Sequence, residues 1–199
     1  MLSVAVQAGG QSTRMNENKA LKLFLGRPLI QRVIARLAPI ADEMLVTTNQ
    51  PADFAFLDLP LFPDLRPGRG PLGGLYTALV SAKNSIVAAA ACDMPFANAP
   101  LFEAAAGILV REEADVVIAK TPEGFEPLHA VYRRENCIPA IEAAMALDHW
   151  RMISWFPQVN VRVLDMDEVD RYDPEHVAFW NVNTPEEFTE AEQRAKLLD

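Results

Sequence analysis

Apolar and polar positions alternate along this chain in blocks that favour strands joined by helices. Residues 2–6, 44–48 and 85–92 are apolar runs of strand length, and the third is apolar almost throughout, as expected of a strand buried on both faces. After Pro28, apolar residues recur with the 3.6-residue period of an amphipathic helix that ends near Pro39. A strand, a helix and a second strand in this order predict parallel strands connected by a right-handed crossover.

The rest of the chain continues this alternation until about Gly124. Pro127 favours an edge or a bend in its strand, and Thr184, Pro185 and Glu187 form the pattern of a capping box that starts a last helix. We therefore expect one α/β domain over residues 1–199, with a doubly wound, mostly parallel sheet and a small antiparallel excursion in the later third. The other predicted elements are helices at residues 75–82, 100–110 and 138–147, and strands at residues 115–120, 125–132, 159–164 and 179–183.

The composition is that of an ordinary globular domain with an excess of acidic residues. With 27 acidic and 18 basic residues the net charge is −9, which argues against a broad surface for nucleic acid or for an anionic membrane. Cys92 and Cys137 form no C-x-x-C pair. No apolar run reaches the length of about 18 residues that spans a bilayer, and the first apolar run is too short for a leader. We expect a cytoplasmic protein that would meet a polyanionic ligand at clustered cations or at a metal ion.

The segment after the first strand has the composition of a phosphate-binding loop. Gly9 and Gly10 allow close approach of the backbone to a ligand, so that successive N–H groups can face one anion. Arg14 and Lys19 follow, and their positive charges suit a triphosphate. The spacing matches neither G-x-x-x-x-G-K-[ST] nor G-x-G-x-x-G, because the next glycine is Gly26. The simpler alternative is a Gly-Gly turn with two solvated cations.

A second glycine-rich loop is expected just before the helix predicted at residues 75–82. Its glycines are Gly68, Gly70, Gly73 and Gly74. Two such loops on one side of a sheet exceed what a change of chain direction needs, and this favours a ligand site between them. Arg69 lies within the segment, where it either contacts a phosphate or is solvated.

Asp93 ends the apolar run at residues 85–92, so it is expected at the carboxyl end of a central parallel strand. Open α/β sheets bind their ligands just outside these ends. A carboxylate beside a triphosphate is a natural ligand for Mg²⁺, which prefers hard oxygen atoms. The alternative is that Asp93 caps the helix after Pro95, and the two roles are compatible.

Taken together, these motifs resemble those of the molybdenum cofactor guanylyltransferases, a family of nucleotidyltransferases. Gln7, Asn16 and Thr47 depart from the family pattern, which has Leu, Gly and Asn at these positions. The glycine-rich loops occur together with the C-terminal motif Asn181-Val-Asn-Thr-Pro-Glu-Glu187, and this combination makes the resemblance more specific than the first loop alone. The matching segments span nearly the whole chain and are Gln7-Ala-Gly-Gly10, Arg14-Met15, Lys19, Pro67-Gly-Arg-Gly-Pro-Leu-Gly-Gly74, Cys92-Asp-Met-Pro95 and Asn181-Val-Asn-Thr-Pro-Glu-Glu187.

The resemblance implies transfer of a GMP unit from GTP to the terminal phosphate of molybdopterin, with release of pyrophosphate. It implies Mg²⁺ as cofactor, held by Asp93, and catalytic roles for Arg14, Lys19 and Asp93. Proteins that deliver the cofactor, or molybdoenzymes that accept the product, are further partners implied by the resemblance. The implied nucleotide-binding residues are Gln7, Ala8, Gly9, Gly10, Lys19, Thr47, Asp64, Gly70, Gly73 and Asp93, and the implied acceptor-binding residues are Asn181 and Asn183.

Several residues, and the function itself, have a second interpretation. Asp64 either accepts two hydrogen bonds from guanine or forms a turn. Related transferases use CTP or activate a sugar phosphate, and a module that binds GTP without turnover is a further alternative, which Lys19 and Asp93 disfavour. The three histidines lack metal-ligand spacing, and the three tryptophans favour a core or an interface over stacking on a pterin.

Overall fold

The structure is a computed structural model that describes residues 1–9 and 18–198. Most of its strands are short, as expected where each apolar run is bounded by a turn or a loop. The strands are β1 Leu2–Gln7, β2 Leu23–Phe24, β3 Arg27–Pro28, β4 Glu43–Thr47, β5 Leu61–Phe62, β6 Ile86–Ala91, β7 Val116–Thr121, β8 Gly124–Arg133 and β9 Val161–Leu164.

Seven of these strands form one sheet in the order β5-β4-β1-β6-β8-β7-β9, and β2 and β3 form a separate hairpin. β1 is parallel to β4 on one side and to β6 on the other. β5 is parallel to β4, and β9 is parallel to β7. β8 runs antiparallel to both of its neighbours and starts at Gly124. The predicted mostly parallel sheet with an antiparallel excursion in its later third is therefore confirmed.

Helices cover both faces of this sheet. Val4 and Val6 of β1 belong to one apolar cluster and Ala5 belongs to another, because alternate residues of a strand point to opposite faces. The helices are α1 Leu29–Leu37, α2 Pro71–Ser81, α3 Ala99–Arg111, α4 Arg134–Ala146, α5 Met166–Val169 and α6 Pro185–Leu198. The first cluster contains side chains of α1, α3 and α5, and the second contains side chains of α2 and α4, so the sheet is doubly wound as predicted.

A third apolar cluster lies apart from the two faces of the sheet. It joins the β2–β3 hairpin, through Phe24, to Phe96, to Val182 and to α6, through Phe188. The rings of Phe24 and Phe188 meet edge to face, with centroids 5.4 Å apart. This cluster fixes the C-terminal segment against the loop that follows β6. None of the helices in the described part of the chain is long and apolar enough to cross a membrane.

The start of α2 differs from the prediction, because Gly73 and Gly74 lie inside this helix and not in a loop. Pro71 occupies the first helical position and Gly70, with a φ of 67°, precedes it. A Cβ atom at position 73 would lie 2.9 Å from the Arg66 carbonyl oxygen, and one at position 74 would lie 2.3 Å from Gln7 Nε2. The glycines therefore allow the helix to approach its own loop and β1 closely.

One prediction about a strand is wrong, and another holds only in part. Residues 179–183 form no strand, because Val182 buries its side chain in the third cluster and its N–H bonds to the Asp93 carbonyl oxygen, 3.0 Å away. Pro127 lies in an interior strand rather than at an edge. It is tolerated there because β8 pairs with β6 only from His129 onward, and the register with β7 shifts between Ile118 and Lys120. The predicted bend at Pro127 coincides with this shift.

Candidate active site

The carboxyl ends of β1, β4 and β6 lie side by side at one edge of the sheet. Gln7 pairs with Thr47 on one side and with Ala91 on the other. The hydrogen bonding continues past the strands, because Ala8 N–H donates to the Thr47 carbonyl oxygen at 2.8 Å and Cys92 N–H donates to the Gln7 carbonyl oxygen at 3.1 Å. The loops that carry the predicted site residues therefore leave the sheet at one place, as expected of a doubly wound fold.

The first glycine-rich loop starts at this edge. Ala8 is buried and Gly9 is exposed, directly after β1. Gly10 and Arg14 lie outside the described residues, so their predicted roles in binding a triphosphate stay predictions. The described chain resumes at Asn18, whose side chain accepts a hydrogen bond from Ala20 N–H at 3.2 Å.

This cap starts a short 3₁₀ turn, Lys19–Leu21, that places Lys19 beside Asp93. Lys19 Nζ lies 3.2 Å from Asp93 Oδ2. The two side chains are 16% and 21% exposed, so water reaches the pair only in part. Two of the residues predicted to be catalytic are thus in contact, although 74 positions separate them.

The C-terminal segment supplies two more oxygen atoms to the same ammonium group. Lys19 Nζ donates to Asn183 Oδ1 at 2.8 Å and to the Val182 carbonyl oxygen at 3.3 Å. Together with Asp93 Oδ2, these atoms match the three N–H donors of a lysine ammonium. Asn183, predicted to bind the acceptor, therefore lies at the predicted catalytic pair. Asn181 lies nearby in the chain, and its side-chain amide donates to the Phe179 carbonyl oxygen at 3.0 Å.

Asp93 does not cap the helix that follows it. α3 begins only at Ala99, and its cap is Asn98, whose Oδ1 accepts from Leu101 N–H at 2.9 Å. Four residues of turn and loop separate Asp93 from Asn98, so that alternative is wrong for the described structure. The carboxylate of Asp93 is directed instead to Lys19.

Asp64 is held by a residue of the neighbouring loop. Asn49 Nδ2 donates to Asp64 Oδ2 at 2.8 Å, and Asp64 N–H donates back to Asn49 Oδ1 at 3.0 Å. This pair of hydrogen bonds joins the loop after β4 to the loop after β5. The turn interpretation required a partner within Asp64's own loop, whereas the structure gives its carboxylate a partner from another loop. Recognition of guanine by Asp64 stays a prediction.

Gln7 and Thr47, two of the departures from the family pattern, are both buried. Gln7 Nε2 donates to the Pro71 carbonyl oxygen at 3.1 Å, so this side chain joins β1 to the start of α2. The hydroxyl oxygen of Thr47 is buried and has no hydrogen-bond partner among the described residues. A buried hydroxyl without a partner is unusual, and within residues 1–9 and 18–198 it leaves the Thr47 hydroxyl unpaired at the edge of the site.

Comparison with known proteins decides the family. Residues 4–159 match the model of the MobA-like NTP transferase domain. The chain belongs to this family. A probable molybdenum cofactor guanylyltransferase of Carboxydothermus hydrogenoformans is 36% identical over 189 residues, which cover 94% of this chain and 93% of the relative. A molybdenum cofactor guanylyltransferase of Desulfosudis oleivorans is 33% identical and covers 96% of this chain and 94% of its own length.

The fold of the MobA-like family is also found among solved structures. The crystal structure of molybdopterin-guanine dinucleotide biosynthesis protein A from Archaeoglobus fulgidus superposes with a TM-score of 0.85 at 24% identity. The match covers 98% of this chain and 99% of that protein. At this identity the superposition supports the shared fold alone.

A MobA-like site with one carboxylate suits Mg²⁺ better than a metal held by protein alone. The described residues contain no group of three or more His, Cys, Asp or Glu side chains that could hold a metal ion. Mg²⁺ is often bound by one or two carboxylates together with substrate phosphates. Asp93, at the edge of the sheet and close to the first loop, fits that donor set.

The second glycine-rich loop contacts the segment that follows α4. The guanidinium of Arg69 lies over the ring of Trp150, 4.4 Å from its centroid, and forms an ion pair with Asp148 at 3.3 Å. Arg69 is thus engaged with the protein itself, and its contact with a phosphate stays a prediction. The loop and α4 enclose a cavity of about 640 Å³, lined by Leu65, Arg66, Pro67, Arg69, Glu142, Met145, Ala146 and Trp150.

Two further titratable side chains, those of His129 and Cys92, lie in or against the apolar core. His129 is buried, stacks on Phe102 with centroids 4.0 Å apart, and accepts through Nε2 from Asn98 N–H at 3.1 Å. Burial lowers the pKa of His129 to about 4, so the ring is a neutral core histidine. Burial, and to a smaller extent the charge of Asp93, raise the pKa of the Cys92 thiol well above its usual value, so the protonated thiol is favoured near neutral pH.

The sequence predicts several residues of the site but not the contacts among them. It gave no role to Asn49, which holds Asp64, or to the Val182 carbonyl oxygen, which accepts from Lys19. It placed Glu187 in a capping box but assigned it no link to the site. Their positions in the sequence could have indicated these two residues, because Asn49 follows a strand end and Glu187 lies four residues after Asn183.

Proposed function

We propose that this chain transfers a GMP unit from GTP to the terminal phosphate of molybdopterin and releases pyrophosphate. The observation that carries the proposal is the Lys19–Asp93 pair at the carboxyl ends of central parallel strands, in a chain of the MobA-like family. The names of the curated relatives support guanine as the base and the molybdenum cofactor as the acceptor. Two free cysteines agree with a cytoplasmic location.

The reaction joins two anions, so the protein must reduce their repulsion and align them. One phosphate oxygen of molybdopterin attacks the α-phosphorus of GTP in line with the departing pyrophosphate. The attacking phosphate is already ionised near neutral pH, so no protein base is needed. Catalysis then rests on positioning and on positive charge close to the transferred phosphoryl group.

Lys19 provides that charge from a fixed position. Its ammonium donors face Asp93, Asn183 and the Val182 carbonyl oxygen, so a phosphate oxygen has to replace one of these partners. We expect the phosphate oxygen to replace Asp93, because the Asp93 carboxylate would then be available to hold a metal ion. Asn183 and Val182 keep the ammonium in place during this exchange.

Asp93 would hold Mg²⁺ together with phosphate oxygens of the nucleotide. The ion would supply further positive charge to the phosphates and would orient them for in-line attack. Arg14 is expected to add a planar donor pair for phosphate oxygens. Both roles are part of the proposal.

Base recognition is proposed for Asp64, with the buried Thr47 hydroxyl as a further polar group at the edge of the site. Guanine presents N1–H and an exocyclic amine side by side, and a carboxylate can accept from both, whereas adenine and cytosine lack this pair of donors. Asn181 and Asn183 are proposed to contact the acceptor. Proteins that deliver molybdopterin or receive the product are proposed partners.

A single assay tests the function. The protein is incubated with Mg²⁺, molybdopterin and each labelled nucleoside triphosphate in turn, and pyrophosphate and the dinucleotide product are measured. We expect product with GTP, little with CTP or ATP, and none without molybdopterin. A preference for CTP would replace guanylyl transfer by cytidylyl transfer. Binding of GTP without pyrophosphate release would replace the enzyme by a binding module.

A further inference from the structure

The chain around Asn183 is anchored before and after the residue that contacts Lys19. On one side, Val182 is fully buried in the third apolar cluster, and its N–H donates to the Asp93 carbonyl oxygen at 3.0 Å. On the other side, α6 begins with Thr184 as its cap and packs Phe188 into the same cluster. Asn183 itself is exposed, so apolar packing does not fix its side chain.

Glu187 holds this exposed residue through the backbone. Its Oε2 accepts from Asn183 N–H at 2.6 Å and from Thr184 N–H at 2.9 Å. A capping box requires only the second of these bonds, together with the bond from Glu187 N–H to Thr184 Oγ1, which is 3.1 Å long. The first bond extends the hold of the carboxylate to the residue before the cap.

We propose that Glu187 is a positioning residue for Lys19. By fixing the peptide group of Asn183, its carboxylate keeps Asn183 Oδ1 where it accepts from Lys19 Nζ at 2.8 Å. The effect passes from Glu187 to Asn183 and from Asn183 to Lys19, and no substrate contact by Glu187 is involved. The statement about kinetics rests on the proposed function, whereas the statement about Lys19 geometry does not.

The physical case rests on the cost of ordering a long side chain. A lysine side chain loses much rotamer entropy when its ammonium is fixed, so a fixed ammonium needs several fixed acceptors. Hydrogen bonds from N–H groups to a carboxylate are shorter and stronger than bonds between neutral groups, which suits the 2.6 Å contact at Asn183. A displacement of about 1 Å at a charged catalytic group can reduce turnover by about a hundredfold.

The two halves of the capping box provide a matched pair of variants. Glu187→Ala removes the acceptor for Asn183 and Thr184 N–H, whereas Thr184→Ala removes only the acceptor for Glu187 N–H. Both substitutions weaken the N-terminal cap of α6, so both should lower the urea midpoint of unfolding to a similar degree. Glu187→Gln keeps one side-chain oxygen that can accept both N–H groups, and it serves as the rescue variant.

Kinetics separate positioning from capping. We expect Glu187→Ala to lower kcat about tenfold, with the KM for GTP within about threefold of wild type, and Glu187→Gln to recover most of the loss. Thr184→Ala should keep kcat within about twofold. Equal losses of kcat in Glu187→Ala and Thr184→Ala would overturn the proposal, because a shared loss follows from the helix cap alone.

A second measurement needs no substrate. In protein with isotope-labelled lysine, the NMR signal of the Lys19 ammonium is assigned by its loss in Lys19→Arg. We expect a signal distinct from that of solvated lysines in wild type and in Thr184→Ala, and a shift toward the solvated position in Glu187→Ala. An unchanged Lys19 signal in Glu187→Ala, or a solvated position already in wild type, would overturn the proposal even if guanylyl transfer is confirmed.

Discussion

Two carboxylates at the same edge of the sheet, Asp93 after β6 and Asp64 after β5, have different partners. Asp93 faces the ammonium of Lys19 at 3.2 Å, so its charge is compensated. Asp64 faces the neutral amide of Asn49 at 2.8 Å, so its charge is not compensated by this partner. The Asp93 carboxylate is therefore suited to exchange the Lys19 ammonium for another cation. The Asp64 carboxylate is suited to accept hydrogen bonds from a neutral ring.

The supports of the two carboxylates differ as well. The Lys19–Asp93 pair is tied to a buried cluster through Val182, whose side chain is fully buried. The Asn49–Asp64 pair joins two loops, and Asn49 is exposed. Rigid support at the proposed place of phosphoryl transfer and lighter support at the proposed base site agree with a mechanism in which the charges around the phosphates must be aligned most accurately. The variants below test whether this division of roles is correct.

The largest effect is expected at Asp93. Asp93→Asn replaces an anionic ligand by a neutral oxygen, and we expect turnover to fall by about a thousandfold or more with the fold unchanged. Binding of Mn²⁺ in the presence of GTP, measured by paramagnetic relaxation, should weaken in parallel. Asp53→Asn, an exposed aspartate near β4, is the control and should retain wild-type turnover. Near-normal turnover of Asp93→Asn at saturating Mg²⁺ would remove Asp93 from the metal site.

The next effect concerns the partner of Asp93. Lys19→Ala should lower kcat by about a hundredfold and raise the KM for GTP much less, because the ammonium acts mainly on charge that develops in the transition state. Steady-state kinetics over a range of GTP concentrations provide both constants. If only the KM changes, Lys19 is a binding residue, and the contrast with Asp64 becomes weaker.

The fold could be predicted where a run of apolar residues in the sequence corresponds to a buried strand. β6 is apolar throughout, and β1 and β4 are mostly apolar, because both faces of the sheet are covered, and their bounds agree with the predicted runs to within a residue or two. The prediction failed at residues 179–183, where Val182 packs against α6 and the hairpin rather than in a sheet. It also failed at Gly73, because a glycine needed for close approach inside a helix looks like a loop glycine in the sequence.

The site could be predicted where a residue follows a strand end. Asp93 was identified in this way and Lys19 as a cation after the first glycine-rich loop, and the structure brings the two together. The contacts of Asn183 with Lys19 and of Asn49 with Asp64 could not be predicted, because they join residues 164 and 15 positions apart and depend on loop conformations. Such contacts leave no periodic pattern in the sequence, because they join polar residues of loops and turns rather than apolar residues of a helix or strand.

A smaller effect, on selectivity rather than on rate, is expected at Asp64. Asp64→Asn cannot accept through both side-chain heteroatoms, so GTP should lose about ten- to a hundredfold in kcat/KM relative to CTP and ATP. This corresponds to about 1.5–3 kcal/mol, the usual value of a hydrogen bond to a charged group. The measurement is kcat/KM for the three nucleotides with molybdopterin as acceptor. An equal loss for all three would assign Asp64 to loop structure or to metal support.

The smallest effect is expected at Asn49, and it tests whether the partner of Asp64 matters for selectivity. Asn49→Ala removes both hydrogen bonds that orient Asp64, so we expect a loss of about three- to tenfold in GTP selectivity. In the Asp64→Asn background the same change should have little further effect, because residues that act through one contact are not additive. Asn136→Ala is the matched control: it breaks another exposed Asn–Asp bond, with Asp115 before β7, at the opposite edge of the sheet. If Asn49→Ala and Asn136→Ala leave selectivity equally unchanged, or if Asn49→Ala adds in full to Asp64→Asn, Asp64 does not depend on Asn49, and the two carboxylates differ in charge compensation alone.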